Sequence, residues 1–493
     1  MFKDAEFSET LDPEDWEKTR NLAHKMVDDM IDYLEDVRSR PVWQDIPANI
    51  KDCFNSPLPL EGESLEVVYS EFLKKILPYP MGNIHPRFWG WALGTGTITG
   101  ALAEFLASSM NSNMGGGNHG AILVERQVIN WIKEMVNFPS SSSGLLTSGC
   151  SSANLIGLLV ARNVKTAYNV RAEGLQNVSS KLIIYASTEI HSSIQKAIEI
   201  MGLGNNQLHL IPVNEKFQME IDLLKKKIIE DRQKGYQPFC VVGGAGTINT
   251  GSFDDLSTIG KICKKENLWF HIDGAFGAWA AIVPSVKNKI SGIVQADSIA
   301  LDLHKWMYMP YEIGCVLIRH ESDHLQTFSL MPEYLSHKKS DGGLIGGDLS
   351  WYSDYGFQLS RGFRALKAWI SIKEHGLRKY SRMIQQNIEQ AKYLVELINN
   401  HSELELSAPV FLNIVCFRYV TQRLSAENLD ELNKRIVIEL QEKGIAVLTW
   451  TTLAGQSVMR VAIFNHRSNK QDFNLLVAKI LEIGSKLAEE TNF

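Results

Sequence analysis

The six cysteines of this 493-residue sequence, at 53, 150, 240, 263, 315 and 416, are scattered, with no Cys-x-x-Cys and no metal spacing. That argues against a disulfide framework and against a thiolate metal centre, and no metal is expected; a reduced, cytoplasmic compartment is the simplest reading. Long apolar runs are also missing. The longest, around Gly274 to Val283, falls far short of the ~20 residues that cross a bilayer, so no membrane partner is expected. There is no basic tract, and a net charge of -6 gives no electrostatic case for nucleic acid or anionic lipid. The first ten residues, Met-Phe-Lys-Asp-Ala-Glu-Phe-Ser-Glu-Thr, are acidic and lack an apolar core, so they do not read as a secretory signal. The triple glycine at 115–117 is not a phosphate loop of the GxGxxG or Walker type, and no internal repeat or low-complexity tract stands out.

What is present is an ordinary composition on a chain long enough for two or three domains, since single cores stop growing near ~250–300 residues. Asp12-Pro13 reads as a helix start, with Asp12 as N-cap and Pro13 in the first turn. Ala23, Met26, Val27, Met30, Ile31 and Leu34 then give one apolar face that must cover its own domain or a partner subunit, and Pro41 ends the helix. A further helix is expected near 65–76. His85-Pro-Arg-Phe-Trp-Gly-Trp91 suits a loop lining a pocket or, equally, core aromatics in an extended segment.

From about Gly144 short apolar strands alternate with amphipathic helices. Strands are expected at 145–146, 181–185, 208–213, 239–242, 268–272, 298–301 and 313–318, with helices at 153–162, 191–201, 220–234 and 254–266. That alternation implies an α/β fold with a largely parallel sheet covered on both sides. Ligands of such sheets sit beyond the strand carboxyl ends. After about Ser350 the pattern becomes a smaller α/β unit: helices at 363–374, 377–400, 426–442 and 473–489, strands at 412–417, 445–449 and 459–463.

The candidate chemical groups all fall at strand ends or in the loops that follow. Thr147-Ser-Gly-Cys-Ser-Ser152 joins a strand to a helix, where small residues let amides and hydroxyls hold a phosphate, although Ser-rich caps are common. His191 opens a helix and could face solvent. Thr247, in the Gly/Thr loop 243–251, could donate to a cofactor oxygen or form a turn. Asp273 ends a strand, where a buried carboxylate needs a cation or simply caps a loop, and Ala275 is small enough to lie against a flat ring. Lys305, in Asp302-Leu-His-Lys-Trp306, is an ordinary surface lysine or, desolvated by apolar neighbours, a nucleophile of lowered pKa. A lysine Schiff base and an acid on a pyridine nitrogen are the two anchors of a pyridoxal phosphate site, and these signals occur in the order such a site needs.

On these motifs the chain resembles the group II pyridoxal-phosphate-dependent amino acid decarboxylases. His271-Ile-Asp-Gly-Ala275 is similar to the family's His-Val-Asp-Ala-Ala, Asp302-Leu-His-Lys-Trp306 to Asn-Pro-His-Lys-Trp, and Thr188-Glu-Ile-His-Ser-Ser193 to the segment with the ring-stacking histidine. The similarity covers nearly the whole chain, most clearly 85–373. It implies fold type I, with a mainly parallel seven-stranded sheet in a large domain (85–350), an N-terminal helical dimerisation segment (1–84) and a small C-terminal α/β domain (351–493).

It also implies site roles. Lys305 carries pyridoxal 5'-phosphate, Asp273 pairs with the pyridine nitrogen, and His191 and Ala275 flank the ring. Cys150, Ser151 and His304 lie where the phosphate is bound, with Thr247 in the cofactor loop. Tyr334, in Met331-Pro-Glu-Tyr-Leu335, matches the loop tyrosine that protonates the α-carbon, and a Tyr there favours amine over aldehyde. Arg361 matches an arginine associated with substrate carboxylate. The family is an obligate homodimer with sites at the subunit interface.

Three positions depart from the family pattern. Asp302 replaces the usual Asn beside the phosphate. Gly274 and Cys150 stand where Ala or Gly is common. Gly115-Gly-Gly117 replaces bulkier residues in the loop that crosses to the partner, with consequences for pocket size.

The implied activity is that of a carboxy-lyase turning an L-amino acid into its amine and carbon dioxide. Trp89, Trp91 and Leu93 favour an aromatic substrate, with Trp91, Leu93 and Arg361 as the substrate residues, whereas His85-Pro-Arg-Phe88 and Asn111-Ser-Asn-Met114 look more like the glutamate and cysteine-sulfinate branch. An acidic substrate (glutamate, aspartate or cysteine sulfinate) is therefore the alternative. An aminotransferase or aldehyde-forming enzyme and a non-catalytic cofactor-binding protein are the competing classes.

Overall fold

The computed structural model describes residues 9–490 apart from 167, 177, 179, 331–341, 345 and 347–350. Seven short apolar strands form its central sheet: β1 (Ser143–Thr147), β2 (Leu182–Ser187), β3 (Leu208–Ile211), β4 (Gln237–Gly244), β5 (Trp269–Asp273), β6 (Ser298–Asp302) and β7 (Gly314–Ile318). Their order is β1-β7-β6-β5-β4-β2-β3. β7 runs antiparallel to both neighbours, and the pairs from β6 through to β3 are parallel. Strands β1, β2, β5, β6 and β7 are buried at every residue. This is why they read as continuous apolar runs rather than alternating ones. The fold class matches the expectation, and each expected strand of this sheet falls within a few residues of its place.

A four-stranded antiparallel sheet, order β10-β11-β9-β8, forms the C-terminal unit from β8 (Leu404–Leu406), β9 (Ile414–Tyr419), β10 (Thr449–Leu453) and β11 (Gln456–Ala462). The strand expected at 445–449 lies four residues later, because Val447 is used differently. Its amide donates to the Arg87 carbonyl and its carbonyl accepts from Trp89, while the Ala462 amide donates to the Trp89 carbonyl. The aromatic segment 85–91 is thereby stitched into the C-terminal unit. Trp89 is fully buried in that unit's core and stacks on Phe473 at 4.9 Å. For Phe88 and Trp89, then, the core-aromatic reading holds rather than the pocket-lining one.

Other differences have local causes. The first helix is Trp16–Glu35, capped by Asp15, whose side chain accepts from the amides of Glu17 and Lys18. Asp12 and Pro13 lie outside it, and a 3-10 turn follows before Pro41. The two helices expected at 363–374 and 377–400 are both present, within Ala365–Asn399, and Gly376 separates them with a left-handed φ of 69°. Helices Ile98–Met110 and Gly120–Met135 were not expected. The first is apolar on both sides, with Ala103 and Ala107 inward and Leu102, Phe105 and Leu106 exposed, so no one-sided period announces it. Gly115 and Gly116 answer the packing question in this loop. A Cβ on Gly115 would lie 2.2 Å from the Leu359 carbonyl oxygen, and one on Gly116 2.2 Å from the Trp351 ring.

Candidate active site

The parallel strands end along one edge, and the edge opens onto a cavity of about 300 Å³. β1 leads through Ser148-Gly149 into helix Cys150–Lys165, whose N-cap, Gly149, has no side chain to cap it. Its first amides therefore face the cavity with the positive end of the helix dipole behind them. β5 ends on Asp273 and β6 on Asp302, and the one-turn helix Leu303–Trp306 carries His304 and Lys305. All nine expected cofactor residues (Cys150, Ser151, His191, Thr247, Asp273, Ala275, Asp302, His304 and Lys305) line this cavity, with Leu93.

Lys305 Nζ lies 3.1 Å from Asp302 Oδ2, and the other oxygen, Oδ1, accepts the Cys150 amide at 2.7 Å. Burial pulls the Lys305 pKa down, but nearby negative charge, Asp302 foremost, outweighs it and leaves the amine above its ordinary value. The lowered value expected from apolar neighbours is thus reversed by a carboxylate that desolvation alone does not anticipate. His304 turns inward, its Nδ1 accepting the Ile313 amide, and its ring packs 4.4 Å from that of Tyr311.

Asp273 is buried. Its Oδ2 accepts from Asn154 Nδ2 at 3.2 Å and its Oδ1 from the Ala275 amide at 3.2 Å. His191 is the N-cap of helix Ser192–Ile200. Its Nδ1 accepts the Ser193 amide at 3.1 Å, and burial lowers its pKa, so the ring is neutral with its proton on Nε2. Thr247 Oγ1 accepts the Ser252 amide and faces Thr250 Oγ1 at 3.2 Å, so it serves its own loop as well as lining the cavity.

Two expected substrate residues sit elsewhere. Arg361 is buried, with both terminal nitrogens occupied: Nη1 donates to Glu125 Oε2 and the Met114 carbonyl, Nη2 to Glu125 Oε1 and the Leu146 carbonyl. It neutralises a buried glutamate and does not line the cavity. Trp91 is half exposed and outside the cavity wall, while its carbonyl accepts from Arg460 Nη1. Tyr334 lies outside the described residues. Asn154, His271, Ser193 and Tyr311 were missed as site residues. Asn154 had a legible signal, since it stands one helical turn after Cys150 and so shares its face.

The donor set fits pyridoxal phosphate. A primary amine and a buried carboxylate stand at the ends of two adjacent strands, and the helix N-terminus beyond Cys150, whose own amide Asp302 takes, offers amides to a phosphate. His191 and the small Ala275 both line the cavity.

Comparison with known proteins gives the same picture. Residues 47–420 match the pyridoxal-dependent decarboxylase conserved domain. The chain is 33% identical to an aromatic-L-amino-acid decarboxylase of Bacillus atrophaeus, over 97% of this chain and 96% of that one. It is 29% identical to tyrosine decarboxylase 2 of Narcissus pseudonarcissus, over 92% and 91%. The structure of Oryza sativa TDC with PLP and tryptamine superposes with a TM-score of 0.89 at 23% identity, covering 97% of this chain and all of that one, and so shares the fold.

Proposed function

The chain belongs to the pyridoxal-dependent decarboxylase family and is a pyridoxal-phosphate-dependent carboxy-lyase; from that premise we propose that its substrate is an aromatic L-amino acid, released as the amine and carbon dioxide. The observation that carries the substrate reading is the 33% identity, over nearly the full length of both chains, to a relative named for aromatic L-amino acids. Leu93, Ile248 and Phe276 give the cavity apolar wall, in keeping with an aromatic side chain.

The residue roles follow from chemistry. Lys305 holds the cofactor covalently through its amine. The helix amides beyond Cys150, whose own amide Asp302 takes, would bind the phosphate with Ser151 and His304. Bound there, pyridoxal phosphate supplies an electron sink for the pair left when a carboxyl group leaves the α-carbon. Asp273 keeps a proton on the pyridine nitrogen, which favours that sink. His191, neutral, and Ala275 would flank the ring. Tyr334 returns a proton to the α-carbon, so amine is favoured over aldehyde.

The division into 1–84, 85–350 and 351–493 is retained as the proposed domain plan, with 85–91 packed on the C-terminal unit. A homodimer is supported by unpartnered apolar faces. Helix Trp16–Glu35 buries none of its residues, and Phe105, Leu106 and Met110 stand exposed on a second helix. A cytoplasmic location is supported by six free cysteines, and no helix among the described residues is long and apolar enough to cross a membrane.

The test is carbon dioxide release from each standard amino acid, plus cysteine sulfinate, by the pyridoxal phosphate-loaded protein, with amine and aldehyde products separated. Tyrosine, tryptophan or phenylalanine should give the highest kcat/KM, with amine as main product, and Lys305→Ala should lose both activity and the visible band. Preference for an acidic amino acid overturns the substrate reading, and release from none of them favours a non-catalytic role.

A further inference from the structure

Behind Asp273 lies a run of buried polar groups whose hydrogen-bond directions are fixed at its two ends, by a donor-only indole and an acceptor-only carboxylate. Trp269 Nε1–H donates to Ser298 Oγ at 2.7 Å. Indole nitrogen can only donate and the Asp273 carboxylate at the far end can only accept. With Asn154 Nδ2 turned to that carboxylate and its Oδ1 to His271 Nε2, the Ser298 hydroxyl donates to its other neighbour, His271 Nδ1, also at 2.7 Å. His271 is fully buried, and burial pushes its pKa down to about 4, so it is neutral. With Nδ1 accepting, its one proton sits on Nε2 and points at Asn154 Oδ1, 2.8 Å away.

That contact sets the Asn154 amide. Its Nδ2 then faces Asp273 Oδ2 at 3.2 Å with one hydrogen and Ser193 Oγ at 3.1 Å with the other. Ser193 Oγ in turn donates to His191 Nδ1 at 2.9 Å. A flipped amide would aim its oxygen at the Asp273 carboxylate and its N–H at another N–H. The helix carrying Asn154 approaches this closely because Gly157, one turn on, has no Cβ: one placed there would lie 2.8 Å from His271 Cε1.

We infer that Asn154, oriented by His271, is a positioning residue that sets Asp273 and His191 together, holding the acid that faces the pyridine nitrogen and the imidazole that faces the ring from a single amide. The inference rests on the cofactor reading above and names neither residue as catalytic, since neither Asn154 Nδ2 nor His271 touches the reacting atoms.

The test uses the loaded enzyme with Asn154→Leu, which keeps the volume and removes both donors, alongside His271→Phe and the double variant. Asn154→Leu should still form the visible band, since Lys305 is intact. It should lower kcat by about tenfold or more, the scale of a lost hydrogen bond to a charged group, with KM changed by less than about threefold. The pH midpoint or position of the visible band should move, which a loss of packing alone would not cause. His271→Phe should cost less than Asn154→Leu and add less than about twofold on top of it, because it acts only through the amide. Wild-type kcat and spectrum in Asn154→Leu, or fully additive losses in the double variant, would overturn the inference. Should His271→Phe fail to fold, the Asn154→Leu spectrum and kcat decide alone. A wild-type protein that stays colourless with pyridoxal phosphate overturns the cofactor reading, and this inference with it.

Discussion

At the scale of single residues, Asp302 distinguishes this site from the sequence pattern it resembles. Its two oxygens bridge the Cys150 amide at the helix N-terminus and the Lys305 amine. An asparagine there would keep the acceptor for Cys150 and lose the charge. Asp302 is the main group holding Lys305 above its usual pKa against burial, so Asp302→Asn should lower it and raise the neutral fraction of the amine at pH 7. It also removes a negative charge from the expected phosphate site. After the cofactor is stripped, the visible band should return faster in Asp302→Asn when pyridoxal phosphate is added, by about tenfold for each unit the amine pKa falls. Pyridoxal, without phosphate, reports the amine effect alone, so the gain should be larger for pyridoxal phosphate. Equal rates in variant and parent would show that the charge is not felt at Nζ.

At the scale of elements, the Lys305 turn depends on a neighbour with no side chain. A Cβ on Gly94 would sit 1.9 Å from the His304 carbonyl oxygen and 2.7 Å from that of Lys305. Gly94→Ala must push this turn or the 92–96 segment aside, since backbone cannot yield as a flexible side chain does. A displacement of about 1 Å at a catalytic group costs on the order of a hundredfold in rate. We expect kcat/KM of Gly94→Ala to fall on that scale and the visible band to weaken; a variant with parental kinetics would show the segment to be free to move.

The same neighbourhood shows what sequence could and could not reveal. Asp273, His191 and Lys305 were legible because each follows a buried strand whose apolar run is unmistakable, and strand ends collect sites in such sheets. Arg361 was misread because its partner, Glu125, lies 236 residues away on a helix with no expected counterpart. Trp89 was read toward the pocket because nothing local says that an extended segment near residue 89 pairs with residue 447 and completes a core built from residues 391–488. Asn154 shares a helix face with Cys150 and His271 belongs to the Asp273 motif, but the link between them lies in the direction of hydrogen bonds across three elements, which no local pattern carries.

At the scale of the whole molecule, three buried histidines and the half-buried His466 tie stability to pH. Burial depresses His85, His271 and His466 to about 4 and His324 to about 3, from an ordinary 6.5. They sit at different joints: His466 Nε2 donates to the Gly96 carbonyl at 3.1 Å, and His324 Nδ1 lies 2.8 Å from the hydroxyl of Ser143 on β1. For a base whose folded pKa is depressed, the unfolded chain binds the proton first. Its stabilising contribution is complete above pH 6.5 and drains away as pH falls toward 4. For the three held near 4 the fall of about 2.5 corresponds to about 3 kcal/mol each as an upper bound, and His324 falls further, against a typical total of about 5–15 kcal/mol.

Buried Asp254 works the other way: burial raises it to about 6, so its contribution is present below about 3.8 and is lost as pH rises through 6. Burial raises Asp297 and Asp323 in the same direction, but His191 and His304 are lowered along with the four, so the imidazoles outnumber these carboxyls and the net slope favours neutral pH. Melting temperature should therefore be highest above pH 6.5 and drop steeply between 6 and 4.5. His324→Phe should flatten that drop by at most one proton, because a phenyl ring can keep the edge contacts that His324 makes with Phe328 and Tyr355. A melting temperature that holds constant from pH 7.5 to 4.5 would mean that these imidazoles already take up protons in the folded chain.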